Sequence, residues 1–304
     1  MGVLSFLVMS QTMLERLEGQ QLIVVTGKGG VGKTTLAAVL GRWLASTGRR
    51  TLLLEIDPRE SLHQLLGTEP SGGDIVTAGE CLSSQNVQAR SVIYDLVREK
   101  VPIRALAKRI VESPVFQHFA DGAPGLKEMA VLGYALRMVE GFYRRRVDAV
   151  VLDAPATGHG ASMLAAPMLL AQSITGGQLG EMAGSLAKFI ADPSRCGVVL
   201  VTMGEEMPVQ EAIELTALLE EKLGRPPELV VANALYPRPP RTVPRGTDKA
   251  LMTLWRERHA VNRRELERLR RRWKGPLAEL PLLPLDRGPA LVRELVRELA
   301  GESR

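Results

Sequence analysis

The sequence predicts an α/β fold built on a mostly parallel, doubly wound sheet. Short apolar runs rich in β-branched residues recur along the 304 residues, and helical patterns separate them. Such runs are typical of parallel strands that are buried on both faces by the intervening helices. A glycine-rich segment directly follows the first run, where α/β folds place a strand-to-helix turn and bind ligands. The composition, 45% apolar and 24% charged, is close to that of an average globular protein and argues against disordered, collagen-like and coiled-coil classes.

The predicted elements follow in order along the chain. Apolar runs predict strands over residues 22–26, 51–56, 147–152, 198–202, 229–232 and 277–280. Apolar periodicity predicts helices over residues 34–46, 208–223 and 247–273, and a closing helix that begins at Pro289. The first two strands and the helix between them fit a βαβ unit.

The domain organisation is predicted to be a single domain, residues 1–304, with an embedded helical subdomain. Its helical insertions cover approximately residues 60–145 and 161–195. The first insertion is mostly helical in pattern, and we expect no strong strand within it. The second is apolar and is interrupted at Gly176-Gly177.

Methionines are prominent in the second insertion, namely Met163, Met168 and Met182. Methionine suits surfaces that accept varied apolar partners, because its side chain is flexible and polarizable. Residues 161–191, with helices from 92–142, therefore form either an apolar groove for a client or ordinary core.

The net charge of +5 is local rather than general. Residues 238–274 carry 13 Lys and Arg against 4 Asp and Glu, so the rest of the chain is net negative. Glutamates interleave with the arginines, which indicates a solvated, salt-bridged helix. The alternative is a docking surface for an acidic partner or an anionic membrane. We expect no specific nucleic-acid partner.

The cysteine content bounds the redox compartment. Cys81 and Cys196 are far apart in sequence and no C-x-x-C is present, so neither a disulfide scaffold nor a zinc clasp is predicted. We expect two buried apolar thiols in a reduced, cytoplasmic protein. No run of 18 apolar residues occurs, so no transmembrane segment is predicted.

The glycine-rich segment fits the phosphate-binding pattern G-x-x-x-x-G-K-[ST]. Its backbone N–H groups and the following helix N-terminus would hold phosphates. Lys33 would reach the β- and γ-phosphates, and Thr34 would ligate Mg²⁺. The sequence therefore predicts a P-loop NTPase fold with ATP and Mg²⁺ as ligands. The nucleotide-binding residues would be Gly27, Lys28, Gly29, Gly30, Val31, Gly32, Lys33, Thr34 and Thr35.

The chain resembles the ArsA family of deviant Walker A ATPases in three places. These are a second lysine in the loop, Lys28, the pair Asp57-Pro58, and the segment Asp153–His159. The family includes anion-transporting and tail-anchored-protein-targeting ATPases. The amino-acid sequence of these segments is similar to that of a bacterial ArsA-related subgroup. The second switch of the family reads D-T-A-P-T-G-H. In this chain Asp153, Thr157, Gly158 and His159 are in register, and the proline is one place early.

The resemblance implies a role for each of these residues. Lys28 would cross a dimer interface to the partner's nucleotide, as an arginine finger does. Asp57 would be the catalytic residue of the first switch and, like Asp153, would hold Mg²⁺ directly or through water. Asp153, Gly158 and His159 would form the second switch, which reports the nucleotide state.

Two further segments are similar to the family. Asn233 matches the asparagine that recognises adenine, since an amide offers both a donor and an acceptor. Pro281 and Pro284 match the closing loop that packs on the base. Glu205, Glu206 and Glu211 resemble paired glutamates of the family, and a solvated helix face is the alternative.

The function implied by the resemblance is that of an ATP-hydrolysing molecular switch. It would work as a homodimer, or as a heterodimer with a paralogue, with composite nucleotide sites, and would couple hydrolysis to binding and release of a client or effector. The alternatives are an escort for apolar membrane segments and the energising subunit of an oxyanion pump with a membrane partner. A thiolate site for a soft metalloid would need about three cysteines close together, which this chain lacks.

Overall fold

The structure is a computed structural model that describes Leu14 and residues 17–56, 59–101, 103–122, 125–142, 147–155, 160–174, 176–240 and 248–301. Within these residues the chain folds around one eight-stranded sheet with the strand order β3-β4-β2-β5-β1-β6-β7-β8. The strands are β1 (Leu22–Thr26), β2 (Thr51–Glu55), β3 (Val76–Thr77), β4 (Leu82–Asn86), β5 (Ala149–Asp153), β6 (Cys196–Met203), β7 (Leu229–Leu235) and β8 (Leu277–Pro281).

All the neighbouring strands in this sheet pair in parallel except β3, which pairs antiparallel with β4 at the edge. The mostly parallel sheet of the predicted α/β fold is therefore confirmed. The described helices are α1 (Lys33–Ser46), α2 (Leu62–Leu66), α3 (Ala89–Lys100), α4 (Arg104–Glu112), α5 (Pro114–Gly122), α6 (Leu126–Val139), α7 (Gly160–Ser173), α8 (Gly177–Ala191), α9 (Glu206–Leu223), α10 (Lys249–Arg272) and α11 (Pro289–Ala300).

The core lies on both faces of the sheet, because successive side chains of a strand point to opposite sides. In β1, Leu22 and Val24 join the cluster under α6–α9, whereas Ile23 and Val25 join the cluster under α1 and α11. All of these side chains are fully buried. Burial on both faces explains why the strand reads as a continuous apolar run.

The prediction that residues 60–145 contain no strong strand is wrong. Strand β4 pairs in parallel with β2 through five register partners, from Thr51↔Leu82 to Glu55↔Asn86. Its sequence is polar, yet Ser83, Ser84 and Asn86 are buried. Because the backbone ladder rather than apolar side chains holds this strand in place, hydrophobic patterning does not detect it.

The methionines of the second insertion contribute to the core. Met163 on α7 is fully buried, and Met168 and Met182 pack against the same cluster while partly buried. The predicted break at Gly176-Gly177 falls where α8 begins, with Gly176 directly before the helix and Gly177 as its first residue. These positions favour the ordinary-core interpretation over an open groove. Among the described helices, none combines the length and the hydropathy that a membrane crossing requires.

An ion pair fastens the amino edge of the sheet, where β2 and β5 both begin. The Asp148 carboxylate accepts hydrogen bonds from Arg50 Nη2 at 2.7 Å, Arg50 Nε at 3.0 Å and the Arg50 backbone N–H at 2.9 Å. These contacts, above all the guanidinium hydrogen bond, lower the pKa of Asp148 to about 2. The charged form of Asp148 is therefore favoured in the folded state.

The Asp148→Asn variant should be less stable than the parent at pH 7, by about 1 kcal/mol or less because the pair is partly exposed. A lowered folded-state pKa gives a stabilisation that is present above the unfolded value of 3.8 and is lost as pH falls towards 2. Urea unfolding at pH 7, 5, 4 and 3 should show the difference shrink below pH 4. The exposed Asp74→Asn variant is the control, and a difference that stays constant with pH would contradict this account.

Candidate nucleotide-binding site

The glycine-rich loop lies at the carboxyl edge of the sheet, between β1 and α1. Strand β1 is central, with β5 on one side and β6 on the other. From β1 the chain crosses to β2 on one side, and from β5 it returns to β6 on the other. In open α/β sheets the crevice outside such a reversal of strand order is where ligands bind.

The Lys33 side chain lies inside the loop and bonds to its backbone. It is only 7% exposed, and its Nζ donates a hydrogen bond to the backbone carbonyl of Lys28 at 2.9 Å. Gly32 has φ +94°, and a Cβ there would lie 2.2 Å from Asn233 Nδ2. A side chain at Gly32 is therefore excluded both by backbone conformation and by space. The loop thus combines an ammonium group with the N-terminus of α1, which suits phosphate.

Thr34 and Asp153 meet beside the loop. The Thr34 Oγ1 donates a hydrogen bond to Asp153 Oδ2 at 2.6 Å, and Asp153 is 5% exposed. Parallel pairing of β1 with β5, with Val25 opposite Asp153, brings the two side chains together. A hydroxyl and a carboxylate oxygen are ligands that Mg²⁺ prefers. The residue types and their separation therefore fit a magnesium site.

Lys28 faces outward from the same loop. Its side chain is 45% exposed, and its Nζ lies 3.5 Å from Glu211 Oε1 on α9. The two lysines of the loop therefore differ in environment, one inside and one at the surface. Of the three glutamates singled out in the sequence, Glu211 reaches the loop. Glu205 pairs instead with Arg258 on α10, and Glu206 is the first residue of α9.

Asn233 contacts the loop from β7. Its Nδ2 donates to the Val31 carbonyl at 3.0 Å. The next residue, Ala234, has a φ of +54°, and the register between β7 and β8 shifts between Ala232 and Leu235. A bulge of this kind re-aims a side chain, and an alanine in the left-handed region is held there only by its surroundings.

The segment that follows β7 is held by α10. Asn262 is buried, donates to the Gly204 carbonyl at 2.7 Å and accepts from the Tyr236 N–H at 2.8 Å. One side chain thus ties the ends of β6 and β7 together. Pro281 ends β8 opposite Leu235, and Pro284 lies three residues further along the chain. Asn262 was missed from sequence because a lone asparagine in a basic helix carries no signal.

Asp57 and Pro58, and Ala156, Thr157, Gly158 and His159, lie outside the described residues. Glu55 fixes the chain around the first of these segments, and sequence reasoning missed it. The Glu55 carboxylate is 2% exposed and accepts from the Ser61 N–H at 2.8 Å and from Ser61 Oγ at 2.7 Å. Burial raises the pKa of Glu55. A charged residue ending an otherwise apolar strand was the available signal.

The first described residue after the second of these segments packs against β1. Gly160 begins α7, and a Cβ at this position would lie 1.9 Å from Thr26 Oγ1, at the end of β1. Only glycine allows this close approach. Gly160 therefore lies at the carboxyl edge of the central strand.

Where it is described, the basic segment is salt-bridged in part, at five of its eleven Lys and Arg residues. Most of its ion pairs join the arginines of α10 to glutamates on the same helix or on its neighbours. The pairs are Arg258 with Glu205, Arg263 and Arg270 with Glu279, and Arg264 and Arg268 with Glu265. These contacts favour the salt-bridged-helix interpretation over a docking surface. Residues 241–247 lie outside the described part.

Both cysteines lie at the amino edge of the sheet, opposite the loop. Cys196 is the first residue of β6, and Cys81 directly precedes β4. Four strand spacings, about 19 Å in all, separate β4 from β6. Full burial raises the pKa of Cys196 to about 12. The two thiols therefore do not converge on a shared metalloid.

The parallel sheet and its loop geometry define a P-loop ATPase fold. A sequence model of the anion-transporting ATPases, the ArsA family, matches residues 20–186, and the chain belongs to that family.

Relatives of the chain carry the same kind of description. It is 30% identical over 228 residues to the ATPase BagA of Mycobacterium tuberculosis, covering 69% of this chain and 64% of that protein. It is 30% and 28% identical over 223 residues to the arsenical pump-driving ATPases of Acidiphilium multivorum and Escherichia coli, covering 70% of this chain and 35% of each. The chain thus spans less than two thirds of the length of these relatives.

The two thiols should differ in reactivity, because the thiolate is the reacting form and burial suppresses it. Iodoacetamide at pH 8 should alkylate Cys81, which is partly exposed, and leave Cys196 unmodified in the folded protein. Mass spectrometry of tryptic peptides distinguishes the two sites, and the same reaction in guanidinium should modify both. Modification of Cys196 at a comparable rate in the folded protein would contradict the burial described above.

Proposed function

We propose that the protein is an ATP-binding and ATP-hydrolysing molecular switch that works as a dimer with composite nucleotide sites. The observation that carries this proposal is the loop itself. Lys33 lies inside it, and the Thr34 hydroxyl lies 2.6 Å from the Asp153 carboxylate. Family membership supports the same activity.

Each residue has a role in this proposal. The backbone N–H groups of the loop and Lys33 bind the phosphates of ATP. Thr34 and Asp153 hold Mg²⁺, which when bound neutralises charge on the phosphate oxygens. Asp57 orients the attacking water and contributes to the ion's shell. The adenine base lies between Asn233 and the segment that contains Pro281 and Pro284.

The switch would act through the two segments that flank these carboxylates. Hydrolysis removes the γ-phosphate contacts, so that the segment after Asp153, with Gly158 and His159, relaxes. The close packing of Gly160 on Thr26 makes the end of β1 the fixed point against which this segment moves. Glu55 and Ser61 supply the corresponding anchor for the Asp57 segment.

The dimer is proposed from the position of Lys28. An exposed lysine on the outer side of the loop can reach a nucleotide in a second subunit, where it would stabilise charge that develops during phosphoryl transfer. The second subunit is another copy of the chain or a paralogue. Glu211 holds Lys28 in the single chain, so assembly must replace this ion pair with contacts to the partner's nucleotide.

The switch would serve to bind and release a client or effector in the cytoplasm. An escort for apolar membrane segments and the energising subunit of an oxyanion pump remain variants of this function. The separation of Cys81 from Cys196 speaks against an effector held by thiolates.

The Lys28→Ala variant should bind ATP as the parent does, because Lys33 rather than Lys28 lies inside the loop. Its turnover should fall by about 10³-fold or more, the size of the effect when a catalytic cation supplied in trans is lost. Steady-state ATPase assays give the turnover, and mass measurement with a non-hydrolysable analogue gives the nucleotide-bound state. Lys188→Ala, at an exposed lysine on α8, is the control. Near-parental turnover by Lys28→Ala would rule out the composite site.

Replacing the cis partner of Lys28 provides the complementary test. Glu211→Gln keeps the side-chain shape and removes the charge that holds Lys28 in the single chain. ATP-dependent association should tighten by a factor of about 2 to 5, the equivalent of a surface ion pair. Glu214→Gln, three residues further along α9, is the matched control. Weaker association of Glu211→Gln would show that Glu211 serves the interface instead.

A further inference from the structure

Helix α10 holds the chain that follows β7 through three side chains on one of its faces. Trp255, His259 and Asn262 are spaced by four and three residues, so they lie side by side on the helix. Trp255 Nε1 donates to the Pro237 carbonyl at 2.8 Å. His259 Nδ1 donates to the Tyr236 carbonyl at 2.9 Å, and Asn262 Oδ1 accepts from the Tyr236 N–H at 2.8 Å. These three side chains form the α10 clamp.

The clamp acts next to a strained turn at the end of β7. Among the residues that the structure describes, Ala234 is the one non-glycine residue with a positive φ, of +54°. Such a residue stays in the left-handed region only where its surroundings over-determine it. Two residues further along, the clamp binds both the N–H and the carbonyl of Tyr236. These bonds therefore constrain the backbone directly after Ala234.

The same turn links both sides of the proposed base site. Directly before Ala234, Asn233 Nδ2 donates to the Val31 carbonyl of the loop at 3.0 Å. Directly after it, the Leu235 carbonyl accepts from the Leu282 N–H at 2.7 Å, in the closing segment that follows β8. The conformation of the turn therefore determines how Asn233 and the closing segment are placed relative to each other.

A purely stabilising role does not account for the outer two bonds of the clamp. Pro237 is exposed and Tyr236 is partly exposed, so water could satisfy their carbonyls at little cost. Asn262, by contrast, is buried, and its Nδ2 donates to the Gly204 carbonyl at 2.7 Å. The clamp is thus anchored in the core at one end, and its other bonds fix the course of the chain at the carboxyl edge of the sheet.

We propose that the α10 clamp positions the base side of the nucleotide site by holding Ala234 in its left-handed conformation. This role rests on the proposed function, which places the adenine base beside Asn233. The phosphate side is held by other elements, since Thr34 and Asp153 come from α1 and β5. Loss of a clamp bond therefore weakens nucleotide binding and leaves the chemical step unchanged.

Hydrogen exchange measures the hold of the clamp on the turn without any nucleotide. His259→Leu removes the N–H donor and keeps a side chain of similar volume, whereas His259→Asn places an amide N–H close to the position of Nδ1. The amides of residues 233–236 should exchange about 5-fold faster in His259→Leu, the effect of one lost hydrogen bond, and at the parental rate in His259→Asn. Thr253→Ala, which loses a bond to the Lys249 carbonyl within α10, is the control. Unchanged exchange in His259→Leu would overturn the proposal.

Nucleotide binding is the second measurement, by calorimetric titration of the full chain with a non-hydrolysable ATP analogue and Mg²⁺. Trp255→Phe, which keeps an aromatic ring and removes the donor, and His259→Leu should each weaken analogue binding about 5-fold. Thr253→Ala should bind as the parent does. In ATP turnover the KM should rise by the same factor with kcat unchanged, because binding common to the ground and transition states is lost. A lower kcat at unchanged KM would overturn the positioning role.

Ala234→Gly tests the route by which the clamp acts. Glycine adopts a positive φ without strain, so the clamp is no longer needed to hold this residue there. Adding Ala234→Gly to His259→Leu should restore the analogue affinity to within about 2-fold of the parent. Ala234→Gly alone, in a chain whose clamp is intact, should change the affinity by less than about 2-fold. No restoration in the double variant would overturn the proposal.

The outcomes distinguish the clamp from the proposed function. Failure of the parent to bind the analogue at all would overturn the proposed nucleotide site, and hydrogen exchange in His259→Leu would still decide whether the clamp holds the turn. Analogue binding by the parent, with unaltered affinity in both Trp255→Phe and His259→Leu, would overturn the clamp alone.

Discussion

The hydrogen bond between Thr34 and Asp153 is the contact on which the rest of the site depends. It joins the first turn of α1 to the last residue of β5, across the carboxyl edge of two neighbouring parallel strands. Thr34 lies on α1, which follows β1, and Asp153 ends β5. Strands β1 and β5 are fully buried and pair in register. The position of the loop relative to the carboxylate is therefore set by the sheet, and the surrounding segments are arranged about it.

Several close contacts maintain this arrangement on either side. Asn233 bonds to the loop at Val31, next to Gly32, while Gly160 packs on the end of β1. Glu55 and Ser61 close the chain around the Asp57 segment with a buried carboxylate. These contacts hold the loop and the described residues that flank the Asp57 and Asp153 segments at one edge of the sheet.

The parts of the fold that could be predicted from sequence are those in which local pattern and burial agree. Strand β1 and helix α1 are continuous apolar or amphipathic segments, and the glycine-rich motif that joins them adopts a strand-to-helix turn. Their predicted bounds therefore agree closely with the observed ones. Strand β4 escaped detection because most of its buried side chains are polar and it is held by backbone pairing with β2. The hydrophobic pattern of a sequence predicts an element only where the hydrophobicity of the side chains determines which of them are buried.

The candidate site shows the same limit. The sequence indicated Lys33, Thr34 and Asp153 through motifs, and the structure brings them together. The partner of Lys28, the bulge that aims Asn233 and the clamp at Glu55 depend on contacts between residues distant in sequence. A pocket of about 370 Å³ at the carboxyl edge of the sheet is lined by residues from four separate stretches of the chain, spanning positions 56 to 163. Such features require the strand order, which short motifs do not determine.

The central claim is that Thr34 and Asp153 hold the Mg²⁺ ion of a nucleotide-binding site. Its most direct test is the affinity for ATP, measured by calorimetry with Mg²⁺ and with chelator, in the parent and in Asp153→Asn. The account predicts that Mg²⁺ tightens ATP binding to the parent by about 10-fold or more and that the isosteric variant loses this gain, because a metal-holding carboxylate has become a neutral amide. An equal effect of Mg²⁺ on both proteins would contradict it.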